Sequence, residues 1–521
     1  MAFSRRTFLQ ASTMVGLAGP ALAACAPSTG SSPAPFRYGV ASGDPDSQSV
    51  VLWTRHDPGI AFVTTSRAAP APARKSKARS KSRAKNSTNV TRSLATVAVP
   101  VRWEISQDES FSNLVGSGEV QALPERDWTV KVIPTGLAAG TTYYYRFISA
   151  QGTSVVGRTK TAPTGPTSAL KLGFVACSNF GWGAFHAYRH LANRTDLDAV
   201  VHLGDYIYEH ASAGFGDTYG THRALDPLGE ILSLGDYRRR YALYRTDPDL
   251  SELHRLHPMI CIWDDHEFAN DPKAGGAQNH TPATEGDWFQ RVGFATQAHA
   301  EWMPTRVEGD VAYRSLQFGS LATLVLVDRQ RRYLFPQPDD GDLYLGRAQA
   351  EWLDATLSAA ESTWVILGSP SNFGPNVAGQ TGGGWGLRDR TRAINAFRAS
   401  RSGNLVVAVG DIHKFRAMDI PFVPGQYDPA TGAGSAGVEF AVGSVTSPGA
   451  TDPNPGTQVK YSNGSSRGYT LMTFTGGSVD TEFFGFDDAL KTSSQLPAES
   501  RLAGFRVAAG TPHLVPMSNP T

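Results

Sequence analysis

The sequence predicts an α/β protein built as a layered sandwich, preceded by an all-β domain. Three observations carry this. Residues 36–163 hold short runs rich in Val, Tyr and Trp, such as "SVVLWTR", "VPVRWEISQD" and "TYYYRFIS", separated by Gly, Pro and Asp turns. Past "TAPTGPTSA" (161–169) the runs become continuously apolar and alternate with polar helical stretches such as "GRAQAEWLDATLSAAES". Continuous β-branched runs are the mark of strands buried on both faces. Finally, 521 residues exceed one ordinary domain, and 40% hydrophobic residues suffice for a large core.

In chain order, residues 1–25 read as a removable export segment. "SRRTFLQ" (Ser4–Gln10) is a twin-arginine pair followed by hydrophobic residues, and the apolar run after it is too short and too broken by Gly16, Gly19 and Pro20 to span a bilayer. It resembles the bacterial twin-arginine signals, whose pathway exports folded proteins. "LAAC" (Leu22–Cys25) looks like a lipobox, in which Cys25 becomes the lipidated first residue; ordinary cleavage after Ala23 is the alternative. The expected location is the periplasm, the cell envelope or the exterior, with a lipid anchor at Cys25 if the lipobox is read.

Residues 26–35 are linker. In 36–163, "GLAAGTTYYYRF" has the turn-then-strand form of immunoglobulin- or fibronectin-like sandwiches, and no ionisable cluster appears, so this domain is expected to be structural. Its insert, 66–93, contains "RAAPAPARKSKARSKSRAKNSTNVTR" with nine Lys or Arg, no acid and no aromatic, and is expected to be a disordered, solvated loop between two strands. Binding of anionic lipid or polymer is the other reading of such a run. Residues 168–521 form the α/β domain. Its strands are expected in "LKLGFVACSN", "LDAVVHLGD", "HPMICIWDDHE", "LATLVLVDR", "STWVILGSPS" and "NLVVAVGDIH", with more in "GVEFAVGSVTS" and "GYTLMTFTGG".

Composition limits the partners. A formal net charge of +1 supplies no field for nucleic acid, so no specific nucleic-acid partner is expected, and a monomer is. The three cysteines, Cys25, Cys177 and Cys261, are too few for a disulfide framework.

The chemistry gathers just after the apolar runs: Cys177, Asp205, Tyr208, Asp264, Asp265, His266, Asn270, Asp411 and His413. In α/β sheets the carboxyl ends of strands form the ligand crevice. Carboxylates that meet there cannot all stay ionised without a cation. "CIWDDHEFAND" (261–271) poses that repulsion most sharply, and a polynuclear metal site resolves it. Asp264 and Asp265 are adjacent and point to opposite faces if the strand persists, so only one of them is expected at a metal. Cys261, inside an apolar run, and Tyr206 are read as core. Glu209 and Glu267 are either supports of the ligands or surface charges. Arg329, Arg332 and Tyr333 follow another strand and could fork onto phosphate oxygens, with salt bridges as the alternative.

"GDYIYE", "WDDHE" and "GDIH", in that order, resemble the calcineurin-like metallophosphoesterases. The detail resembles the alkaline phosphatase D, or PhoD-like, branch, from "FRYGVASGDP" through "HLGDYIYEH", "LGRAQAEWL" and "GDIHKF" to "GSVTSPG". The resemblance implies a metallophosphoesterase-type sandwich holding Fe3+ and Ca2+. It implies that Asp205 bridges the metals, that Cys177, Tyr208 and His413 complete an iron site, and that Asp265, Asn270 and Asp411 hold calcium. Thiolate and phenolate suit ferric iron, while oxygen-only donors suit calcium. His266 becomes the acid/base or phosphate-contacting residue, catalytic together with Asp205. The chain departs from the family pattern at "GGGWGLRDR", where Gly386 stands in place of the usual acid, which bears on the pocket wall.

The function expected is hydrolysis of phosphate monoesters by a metal-bound hydroxide, acting on a small phosphate ester. Phosphodiester or phospholipase D-type hydrolysis is the alternative. A metal-stabilised envelope binding protein without catalysis is a third reading, against which His266 beside a full ligand set argues.

Overall fold

The computed structural model describes residues 35–518 other than 59, 65–89, 95–96, 213–221, 308, 376–383, 424 and 450–455. The export segment with Cys25, nearly all of the linker and most of the basic insert lie outside the described residues.

The N-terminal strands are β1 (Val40–Gly43), β2 (Val51–Arg55), β3 (Ile60–Thr64), β4 (Val90–Leu94) and β5 (Val99–Ser106). They continue with β6 (Leu114–Ala122), β7 (Thr129–Val132), β8 (Thr142–Ser149), β9 (Gly152–Thr153) and β10 (Gly157–Lys160). One sheet runs β10-β8-β5-β6, and β1, β2 and β7 are neighbours in another. Strand alternation turns Tyr143, Tyr145 and Phe147 of β8 inward, where they share a core with Val40, Leu52, Val101 and Ile105. This is the all-β sandwich expected. β3 and β4 pair with each other around the insert, so residues 90–93 of the insert are strand rather than loop.

Next come β11 (Ala169–Val175), α1 (His186–Ala192), β12 (Ala199–Leu203), α2 (Leu234–Arg245), α3 (Pro248–Leu256) and β13 (Met259–Ile262). A capping box of Ser233 and Asp236 starts α2; Asp247 as N-cap, with Pro248 behind it, starts α3. Then follow α4 (Pro282–Glu285), α5 (Trp288–Trp302), β14 (Arg314–Phe318), β15 (Ala322–Leu326), α6 (Arg331–Leu334) and α7 (Arg347–Ser358). After these stand β16 (Trp364–Ser369), α8 (Leu387–Arg398), β17 (Asn404–Val409), β18 (Phe415–Pro421) and β19 (Ser435–Val442). The chain ends on β20 (Val459–Asn463), β21 (Ser466–Thr475), β22 (Ser478–Asp487), β23 (Ser500–Ala508) and β24 (Val515–Pro516).

Two sheets stack. The first runs β24-β23-β22-β21-β11-β12-β13 and continues through β1 into β2 and β7; the second runs β14-β15-β16-β17-β19-β18-β20. Alternation explains why the central strands β15, β16 and β17 of the second sheet are almost wholly apolar and buried. Leu324, Leu326, Ile366, Val406 and Ala408 join the core that includes Leu172, Phe174, Val201 and Leu203 of the first sheet. Their neighbours Val325, Val365, Leu367, Val407 and Val409 pack instead with Leu353 and Leu357 of α7 and Ile394 and Phe397 of α8. Burial at about 25 cal/mol per Å² of apolar surface makes both faces stabilising.

β11, β12 and β13 are mutually parallel, as are β15, β16, β17 and β19. The segments that leave β11, β12, β13, β17 and β19 converge on one cavity.

Candidate active site

Four candidate ligands at this cavity occupy the left-handed backbone region that side chains rarely adopt: Cys177 (φ 60°), Asp205 (φ 56°), Asp411 (φ 65°) and His413 (φ 53°). Each follows a buried strand within four residues, so the chain turns sharply and aims the side chain inward. Tight backbone approach requires the glycine of each "GD" pair. A Cβ on Gly204 would lie 2.5 Å from that of Asp264, and one on Gly410 would lie 2.6 Å from the Leu203 carbonyl oxygen.

The cavity has a volume of about 320 Å³ and is lined by Asp205, Tyr208, Asp265, His266, Asn270, Asp411 and His413 among others. Donor atoms of Cys177, Asp205 and His413 lie within 4.8 Å of one another, and so do those of Asp205, Asp265 and His266. Asp205 is common to both groups. Tyr208 joins the first: its hydroxyl is 3.3 Å from Asp205 Oδ2 and 3.3 Å from His413 Nε2. His413 Nδ1 donates to the Pro448 carbonyl at 2.9 Å, which leaves Nε2 for the cavity.

The donor set fits metal ions. Burial, and then the carboxylates of Asp205, Asp411 and Asp264, push the Cys177 thiol well above its usual range. Burial raises Asp205 strongly; Asp265, Glu267 and Asp411 add to it and His266 opposes it. Burial also raises Asp411, against Arg329, and holds His413 down to about 4. Protons or cations must neutralise this cluster. On the oxygen-rich side the amide nitrogen of Asn270 bonds the Gln278 side chain, so its carbonyl oxygen remains for a cation.

Asp264 leaves the cavity. Its Oδ1 accepts from Gln330 Nε2 at 2.6 Å and lies 3.5 Å from Arg329 Nε, while Asp265 lines the site. Arg329 spans the two groups, with Nη1 3.8 Å from Asp411, and is buried. Arg332 does not join the site: its guanidinium bonds the carbonyls of Leu343, at 3.0 Å, and Gly341, at 3.3 Å. The nearby carbonyls of 341 and 343 capture a side chain that the sequence had aimed at phosphate. Gly386 caps α8 without a side-chain hydrogen bond, and neither it nor Trp385 lines the cavity. Cys261 and Tyr206 are core, the Tyr206 hydroxyl 2.9 Å from His254 Nε2.

Glu209 and Glu267 are fully buried supports rather than surface charges. Glu267 accepts from the backbone N–H of Asp205 at 3.1 Å and of Asp264 at 2.7 Å, tying two strand ends together. Glu209 Oε2 lies 2.7 Å from His266 Nδ1, and its Oε1 accepts from the Asn270 N–H at 2.7 Å and Asn279 Nδ2 at 2.6 Å. Burial lowers the affinity of His266 for a proton, yet Glu209, Asp265 and Asp205 outweigh it and hold the imidazole well above its usual pKa. The ring also stacks on Tyr208, centroids 4.0 Å apart. Sequence reasoning missed Ser447, whose hydroxyl is 2.7 Å from that of Tyr208, and Arg240, buried and bonded to the carbonyls of Tyr208 and His210. Ser447 sits inside "GSVTSPG", a stretch that resembled the family, and Arg240 lies between "HLGDYIYEH" and "LGRAQAEWL", within the span of the resemblance, which was the available signal.

The PhoD-like phosphatase family matches residues 172–483, and its N-terminal domain matches residues 22–163. Alkaline phosphatase D of Bacillus subtilis (strain 168) is 33% identical over 445 residues, covering 80% of this chain and 70% of that protein. A solved structure of PhoD superposes with a TM-score of 0.77 at 29% identity, covering 94% of this chain and 93% of that one. The purple acid phosphatase PPD1 from yellow lupin shares the fold alone, with a TM-score of 0.56 at 11% identity, covering 90% of this chain and 74% of that one. With its metal-fitted donor groups at the strand ends, the chain is an enzyme of the PhoD-like phosphatase family.

Proposed function

We propose that this chain is an exported phosphatase that hydrolyses phosphate monoesters in the cavity at the strand ends. Ferric iron would be held by Cys177, Asp205, Tyr208 and His413, and calcium by Asp205, Asp265, Asn270 and Asp411. The observation that carries this reading is the position of Asp205, shared by two donor groups of different chemistry. One group offers sulfur, phenol and imidazole; the other is rich in oxygen. When bound, such a pair polarises phosphoryl oxygens and makes water more acidic.

The chain's own residues supply the remainder. Glu209 grips His266 by Nδ1 and keeps a proton on the ring, so His266 can protonate the departing alkoxide. Tyr208 and Glu209 fix the plane and tilt of that ring, which removes the need to order it during reaction. Arg329, buried between Asp264 and Asp411, offsets the negative charge of these two carboxylates. Export is supported by "SRRTFLQ" and "LAAC". No helix among the described residues is long and apolar enough to cross a membrane.

Hydrolysis of nitrophenyl phosphate and of bis-nitrophenyl phosphate, compared alongside metal analysis, tests the reading. The expected result is preference for the monoester, with iron and calcium in the active protein. A higher kcat/KM on the diester, or full activity in protein free of both metals, would overturn it.

A further inference from the structure

Asn179 lines the cavity and is 8% exposed. It stands two residues beyond Cys177 in a turn that hydrogen bonds hold from several sides. The Asn179 carbonyl accepts from the Trp182 N–H at 3.1 Å and from Thr446 Oγ1 at 2.9 Å. Upstream, the Ser178 N–H donates to the Asp205 carbonyl at 2.8 Å; downstream, the Phe180 N–H donates to the Tyr244 hydroxyl at 3.0 Å. The side chain is fixed as well, since Oδ1 accepts from the Gly181 N–H at 3.1 Å.

That bond determines which end of the amide is left. Oδ1 is engaged, and Nδ2 has no acceptor among the described residues. An N–H2 group that borders the cavity without a protein acceptor is left to solvent or to a ligand that enters. The wall it occupies is otherwise furnished with groups that bind cations, such as Asp205, Asp265, Asp411 and His413. Rotating the amide to use Nδ2 elsewhere would break the Gly181 bond. The donor is therefore preorganised toward the cavity and requires an acceptor that enters from outside.

We propose that Asn179 Nδ2 donates to a non-bridging oxygen of the substrate's phosphoryl group, making Asn179 a substrate-contacting residue. A phosphate monoester dianion presents three terminal oxygens, each a strong hydrogen-bond acceptor. A neutral amide takes one of them without competing for the cations. This rests on the phosphatase reading of the cavity, which supplies the oxyanion.

The test uses the full metal-loaded protein with Asn179→Ala and Asn179→Asp. Inhibition by inorganic phosphate, kcat/KM on nitrophenyl phosphate, metal content and Tm are measured together. Losing one hydrogen bond to a charged acceptor is expected to weaken phosphate inhibition and kcat/KM by roughly 10- to 100-fold in Asn179→Ala, with metal content unchanged. Asn179→Asp keeps an oxygen for the Gly181 N–H but faces the phosphate with an anion, so its loss should be larger at similar Tm. Phosphate inhibition equal to wild type in both variants would overturn the proposal. So would a loss of metal that parallels the loss of phosphate binding, because Asn179 would then serve the metal site. A wild-type protein that neither hydrolyses the ester nor is inhibited by phosphate would instead bring down the phosphatase reading itself, and this proposal with it.

Discussion

Replacing Glu209 by Gln probes the pair that keeps His266 protonated. The amide is nearly isosteric, and its oxygen can still accept from the Asn270 N–H, at 2.7 Å in the native protein. Its nitrogen then faces His266 Nδ1, where a carboxylate oxygen stood at 2.7 Å. A charge-assisted hydrogen bond of this length contributes about 1.5–3 kcal/mol. At about 1.4 kcal/mol per unit, its loss lowers the imidazole pKa by roughly one to two units. The sign follows from the native shift: His266 is raised, so its protonated form persists below that pKa and is lost as pH rises through it. In Glu209→Gln the loss comes at lower pH. An acid is needed most when the leaving group is poor. Profiles of kcat/KM against pH on an alkyl phosphate should therefore show the alkaline fall moving down by roughly one to two units. The alkyl ester should also lose more rate than nitrophenyl phosphate. Equal losses on the two esters, with an unmoved profile, would refute the assignment of His266 as proton donor.

Tyr208→Phe keeps the stack on His266 but removes the hydroxyl between Asp205 and His413, so a phenolate-to-iron visible band should vanish with little change in Tm; an unchanged band would exclude Tyr208 as the chromophore. Metal-stripped protein should lose stability as pH rises from about 7 to 9, above the range in which depressed histidines such as His202, His210, His257, His299 and His413 act in the opposite direction. Burial raises Asp205, Asp264 and Asp411, so the folded chain retains protons that the unfolded chain has released; raised His266 acts in the same direction, and depressed Glu209 has already made its contribution. Thermal melts should show that slope flatten when cations return, and a rising slope in the stripped protein would contradict it. Cys25→Ser should abolish lipid labelling and membrane sedimentation; an unlabelled wild-type chain starting at Ala24 would remove the anchor.

The strand ends were legible because burial on both faces leaves an unbroken apolar run, so the first polar residues after "NLVVAV" or "DAVVHL" had to mark the crevice. Asp411, His413 and Asp205 were found that way. Glu209 was ambiguous, since one acidic residue after a strand looks alike whether it faces solvent or a histidine 57 residues later. Ser447 carries no charge and stands in a loop, so only its neighbours could have flagged it. Arg332 misled because local sequence shows that a cation is near a strand end but not which carbonyls fold back to meet it. The seam between the two halves was illegible for a related reason. "VASG" is a short strand whose partner Met259 is more than two hundred residues away, and nothing in either stretch names the other.

The left-handed backbone at Cys177, Asp205, Asp411 and His413 has an evolutionary consequence. Each such residue holds about 1–3 kcal/mol of conformational strain. Glycine relieves it at no steric cost, and so each of these positions is a place where the protein could become hardier by giving up a candidate ligand. A library of this chain selected only for heat resistance should drift toward glycine at these four sites and lose its chemistry as it does. Selection that also demands turnover should hold them unchanged and gather its stabilising substitutions elsewhere, on the helices and the N-terminal sandwich.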